Sequence, residues 1–151
     1  IEGAMLGIPS IALSQIITYQ SEIHWATSRL YAPIVIRQLL DMEWRPGGFV
    51  NVNFPNCPPD AATGIRVTTQ GMRPPGSFKP MRRVDERHVP YYWIKITFPD
   101  GGEQDSNDLG AARDNAVSIS PLQLDMTAHD LVPNVAGLFD GVTAQTQPRA
   151  G

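Results

Sequence analysis

The sequence predicts an α/β domain that continues into a β-rich arm, and three observations indicate this fold class. The short, mostly apolar run 8–14 (IPSIALS) is typical of a strand buried on both faces of a parallel sheet. Residues 25–43 have apolar side chains at helical spacing and predict a helix. Pro33 either kinks this helix or lies in its first turn. Pro46-Gly47-Gly48 ends that helix, and 49–54 then predicts a strand. Strand, helix and strand in this order indicate a layered α/β core.

The composition excludes several classes of protein. Hydrophobic residues make up 42% of the 151 residues, which is too many for a disordered chain. The 13 glycines show no triplet period, and no apolar run approaches the roughly 20 residues that a membrane span needs. The net charge of −3 does not favour a dedicated nucleic-acid binder. A single cysteine and no visible signal peptide predict a cytoplasmic protein.

The chain divides into four segments. Residues 1–55 predict the α/β core, and 56–114 a β-rich arm that mediates oligomer contacts. In the arm, 72–90 carries four prolines and five basic residues and predicts an extended, mostly irregular stretch, whereas 91–98 predicts a strand before an Asp100-Gly101 hairpin turn. A helical turn is expected at 108–114.

The last two segments are a strand with a helix and a tail. Residues 115–139 predict a final strand at 116–122 and a helix that Asp125 or Thr127 caps, with Pro133 near its start. Residues 140–151 are small and polar and predict a frayed tail. Because the chain opens with an apolar helix end and not with Met, we expect it to be the remainder of a longer protein.

Few side chains indicate chemistry by their spacing. Asp125 and His129 are four residues apart and can pair on one helix face, and a structural pairing is favoured over a catalytic one because no nucleophile is near in sequence. The basic residues from Lys79 to Arg87, followed by three aromatic residues at 91–93, could hold a nucleic acid strand. The acidic overall balance favours a solvated arm, although one or two arginines could meet a phosphate. Composition and spacing alone reveal no complete active site.

Five segments, in order, resemble the SurE family of metal-dependent 5′/3′-nucleotidases. They include a helix-into-strand segment with Glu2-Gly3, Gly7, Pro9, Ala12 and Ser14, the strand end Asn51-Val52-Asn53-Phe54-Pro55, and Gly64-Ile65-Arg66-Val67-Thr68 leading to Gly71 and Arg73. The others are Tyr91-Tyr92-Trp93, and Asp108 and Ala111 followed by Val117-Ser118-Ile119-Ser120-Pro121-Leu122, Asp125 and Thr127. Departures are mild, since Asn115-Ala116 replaces Gly-Tyr and Ser120 replaces Thr.

The resemblance implies part of a Rossmann-like three-layer α/β/α fold with a protruding β-hairpin arm and a C-terminal helix that is exchanged between subunits. It implies a hydrolase that removes phosphate from nucleoside monophosphates with a divalent metal, Mn²⁺ or Mg²⁺, and assembles as a homodimer or tetramer. The family's metal ligands and its catalytic residues would precede Ile1, so no catalytic or metal residue is expected in this chain. Arg73 and Asp108 are candidates for the rim of the substrate site. The isolated chain is expected to be inactive, and the alternative is a non-enzymatic oligomerisation or binding module.

Overall fold

The computed structural model describes residues 1–17, 21–97 and 106–142. It contains a four-stranded mixed sheet in the order β1, β2, β6, β3 and a separate two-stranded sheet of β4 and β5. The strands are β1 (Ile11–Gln15), β2 (Gly48–Phe54), β3 (Ile65–Val67), β4 (Phe78–Val84), β5 (Pro90–Ile96) and β6 (Val117–Gln123). The helices are α1 (Glu2–Met5), α2 (Trp25–Leu40), α3 (Asp108–Arg113) and α4 (Val132–Leu138), with a 3₁₀ turn at Pro59–Ala61.

The core lies between β2 and α2. Along β2 the side chains of Val50, Val52 and Phe54 are buried, and those between them are only half-buried, as the two-residue period of a strand requires. Val35 of α2 and Val117 of β6 complete this cluster. The strand predicted at 49–54 is therefore observed as β2, with three of its apolar side chains in the core.

Strand β1 is less buried than its sequence predicts. It pairs in parallel with β2 but lies at the edge of the four-stranded sheet, and Leu13 is 46% exposed. The prediction of a strand buried on both faces is wrong for the described residues, because side chains on both faces of β1, among them Ala12, Leu13 and Ser14, are exposed. The sheet is also mixed, since β6 runs antiparallel to β2 and parallel to β3.

Helix α2 runs without a break through Pro33, so this residue lies in the interior of the helix and not in its first turn. Proline lacks an N–H group, and the helix loses one backbone hydrogen bond there. Among the described residues, no helix is both long and apolar enough to cross a bilayer.

Strands β4 and β5 form an antiparallel hairpin in which Phe78 pairs with Ile96 and Val84 with Pro90. The prediction of a mostly irregular stretch over 72–90 is therefore wrong for 78–84. The hairpin turn is held by Asp85, whose side chain accepts hydrogen bonds from the N–H groups of Arg87 at 2.9 Å and Val89 at 2.8 Å. The predicted turn at Asp100-Gly101 lies outside the described residues.

The last helix begins at Val132, later than the predicted cap at Asp125 or Thr127, with Pro133 in its first turn as expected. The Asp125 carboxylate accepts a hydrogen bond from the Thr127 N–H at 2.9 Å, as in a helix cap, but no helix follows until Val132. Every residue of α4 is exposed. The helix therefore has an apolar surface that no described part of the chain covers.

Candidate functional site

The loop after β3 is fastened to the start of α3. The Asp108 N–H donates to the carbonyl oxygen of Thr69 at 3.0 Å, and Thr69 and Asn107 form a parallel β-bridge. The Asp108 carboxylate accepts a hydrogen bond from the Gly71 N–H at 2.7 Å. Both the backbone and the side chain of Asp108 thus hold the loop 69–71 in place.

Helix α3 begins at Asp108 for a local reason. Asn107 precedes it in an extended conformation, and its side-chain oxygen accepts a hydrogen bond from the Gly110 N–H at 2.9 Å. This bond satisfies one of the N–H groups that a helix start leaves unpaired. Gly110 and Ala111 of this short helix are buried, so the helix is anchored to the rest of the chain near its N-terminal end.

The two predicted rim residues therefore lie on segments that the structure joins. Arg73 is half-buried and follows Gly71 by two residues, and Asp108 holds Gly71. The observed role of Asp108 is to position this loop. A guanidinium group on a positioned loop is suited to recognise a phosphate, since it can donate two parallel hydrogen bonds.

A groove of about 470 Å³ adjoins this loop. Its lining combines two amide side chains, one carboxylate and apolar groups: Gln70, Gln123, Asp125, Pro121, Leu122 and Met126. Gln70 belongs to the loop 69–71 and also lines the groove, so the groove lies directly beside this loop. The groove is open to solvent, and its amide side chains can exchange hydrogen bonds with a polar molecule that lies against it.

Asp125 lies at this groove and pairs with His129. The His129 Nε2 atom is 3.1 Å from Asp125 Oδ2, and both side chains are more than half exposed. The pKa of Asp125 is lowered to about 2 by hydrogen bonds from the Thr127 hydroxyl and N–H groups and from His129. Asp125 is consequently ionised near neutral pH and can accept a hydrogen bond but not donate a proton.

A second polar cluster, which the sequence analysis missed, lies where the parallel strands β1 and β2 end. The Asn56 side chain accepts a hydrogen bond from the His24 N–H at 2.9 Å and donates to the Ser21 hydroxyl at 3.2 Å and the Glu22 carbonyl at 3.0 Å. The carboxyl ends of parallel strands are the usual ligand-binding edge of α/β sheets. The position of Asn56 directly after the Asn-x-Asn-Phe-Pro strand end was the signal that could have revealed it.

A third cluster, also missed, is buried. The Thr68 hydroxyl is 2.8 Å from the hydroxyls of both Ser118 and Ser120, and all three residues are at most 5% exposed. Ser118 and Ser120 lie on one face of β6, opposite Asn53 and Asn51 of β2. This face of the sheet is polar where the other face is apolar, and the network fixes the end of β3 against β6.

The described residues do not provide a metal centre. In ranges 1–17, 21–97 and 106–142, no three His, Cys, Asp or Glu side chains converge at a point where they could hold a metal ion. These residues therefore do not fit the divalent metal that the resemblance implies. No catalytic step that uses such a metal is assigned to them.

Comparison with known proteins shows which family this chain resembles. The family model described as survival protein SurE matches residues 1–76. Two relatives described as 5′-nucleotidase SurE are 40% identical over 91% of this chain (Rhizorhabdus wittichii) and 39% identical over 93% (Caulobacter vibrioides). The matches cover 56% and 55% of those proteins, so the chain spans about half the length of the curated relatives it matches.

The structural comparison agrees with the sequence comparison. The crystal structure of the SurE protein from Aquifex aeolicus matches 91% of this chain and 54% of that chain, with a TM-score of 0.69 and 29% identity. The fold prediction of an α/β chain with the SurE core is thereby confirmed. Since the family model matches just over half of the residues and the same order of segments recurs in relatives and in a solved structure, this chain belongs to the SurE family.

Proposed function

We propose that this chain contributes to the hydrolysis of nucleoside 5′-monophosphates to nucleoside and phosphate. The observation that carries the proposal is the 40% identity to a 5′-nucleotidase SurE over 91% of the chain. The activity would require Mn²⁺ or Mg²⁺, with ligands from residues outside this chain. Such a metal would supply Lewis-acid chemistry at the phosphate, and none of the described residues is assigned to hold it.

In this proposal the described residues orient the substrate. Arg73 donates hydrogen bonds to the phosphate, and Asp108 keeps the Arg73 loop in position through Gly71. The groove beside Gln70 and Gln123 receives the nucleoside, whose base offers donors and acceptors that amide side chains can pair. The chain holds its one cysteine, Cys57, as a free buried thiol, and this agrees with a proposed cytoplasmic location.

The test uses two proteins, the chain alone and a chimaera. In the chimaera, the part of the Caulobacter vibrioides relative that this chain does not match is fused ahead of Ile1. With AMP and Mn²⁺, the chimaera is expected to release phosphate and the chain alone to release none. Turnover by the purified chain alone, or a folded chimaera without turnover, would contradict the proposal.

The rim assignment has its own test in the same chimaera. Arg73→Ala is expected to raise the KM for AMP roughly tenfold or more, because it removes charge-assisted hydrogen bonds to the phosphate. Arg37→Ala is the matched control, since Arg37 is an exposed arginine of α2. Equal KM values for the two variants would remove Arg73 from the site.

We also propose that the protein forms a homodimer or tetramer through the hairpin and α4. Exposed apolar side chains at helical spacing cover one side of α4 and its flanks, namely Leu131, Val135, Leu138, Phe139 and Val142. A helix of seven residues is marginal by itself in water. An exchanged partner helix would cover this surface. The same surface supports the alternative in which this chain is a non-enzymatic oligomerisation module.

A further inference from the structure

We draw no further inference here: the strongest candidate, the half-buried amide side chains of Asn51 and Asn53 on the polar face of the four-stranded sheet, carries nothing, because nothing in ranges 1–17, 21–97 and 106–142 shows what covers that face.

Discussion

The carboxylate of Asp108 accepts a hydrogen bond from the backbone N–H of Gly71 at 2.7 Å, across 37 residues of sequence. The bond joins the loop after β3 to the first turn of α3. Two residues beyond Gly71 lies Arg73, so the position of this arginine depends on a carboxylate in a different element. Asp108 is thus a positioning residue in the proposed site.

Asp108→Ala should lower the free energy of unfolding by about 1–3 kcal/mol, because the Gly71 N–H loses its acceptor. The loss of a negative charge from the first turn of α3 acts in the same direction. Urea denaturation measures the change. Asp130→Ala, at an exposed position, is the control and should stay within about 0.5 kcal/mol. If both variants lose the same small amount, the bond does not stabilise the fold.

Gly71→Ala tests the closeness of the same contact. A Cβ atom at position 71 would lie 2.8 Å from Asp108 Oδ1 and 2.8 Å from Leu109 Cγ, well inside contact distance. We expect a loss of about 1–3 kcal/mol, typical of overpacking. Gly137→Ala is the matched control, because nothing lies within 4 Å of its Cβ position and alanine favours the helix. Thermal unfolding that is unchanged in Gly71→Ala would contradict the structure here.

The parts of the fold that the sequence predicted are those with local periodicity. Val50, Val52 and Phe54 alternate with polar residues, and a strand at the core follows from that pattern. Similarly, the helix near 108–114 was expected from its residues and is observed as α3. Each of these elements is defined by neighbours within a few positions along the chain.

The other parts of the fold depend on contacts between residues that are far apart in the sequence. Such contacts produce no periodic pattern along the chain. Strand β4 has basic residues and proline, and only its pairing with β5 makes it a strand. Helix α4 begins at Val132 with Pro133 in its first turn, and the hydrogen bond from the Thr127 N–H to Asp125 closes a local turn that no helix continues. The hydrogen bond from Gly71 to Asp108 has a backbone N–H as its donor. Every residue type except proline has this donor, so no sequence pattern predicts the bond.

The low pKa of Asp125 predicts a specific response to substitution. The Thr127 hydroxyl is the largest cause, so Thr127→Ala should raise the pKa of Asp125 from about 2 towards 3.8 more than His129→Gln does. Carboxyl ¹³C NMR during a pH titration measures both shifts. Because the folded-state pKa is depressed, the stability that Asp125 provides is present above about pH 4 and is lost as the pH falls through about 2. A larger shift in His129→Gln than in Thr127→Ala would contradict this order.

The buried hydroxyls of Thr68, Ser118 and Ser120 predict a loss followed by a recovery. Thr68→Val removes both 2.8 Å bonds and leaves two buried hydroxyls without that partner, which should cost about 1–3 kcal/mol for each unsatisfied group. Adding Ser118→Ala and Ser120→Ala removes those hydroxyls, so the triple variant should regain part of the loss. Thr63→Val is the control, since its hydroxyl bond is solvent-exposed. A triple variant less stable than Thr68→Val in urea would contradict the network.

The exposed surface of α4 predicts self-association. Phe139 is 65% exposed and Leu138 is 75% exposed, and burial of two such side chains against a partner helix would stabilise an assembly by about 3–6 kcal/mol. Sedimentation velocity should therefore show a dimer or tetramer for the unaltered chain, and a smaller species for the Leu138→Asp, Phe139→Asp double variant.

The control for association is Met72→Asp, which places a single aspartate at a 91% exposed apolar side chain away from α4. This variant should sediment like the unaltered chain. A dilution series tests whether the assembly is reversible, because a non-covalent assembly dissociates on dilution and forms again on concentration. If the double variant keeps the same assembly as the control at every concentration, α4 is not the contact and the hairpin alone would have to provide it.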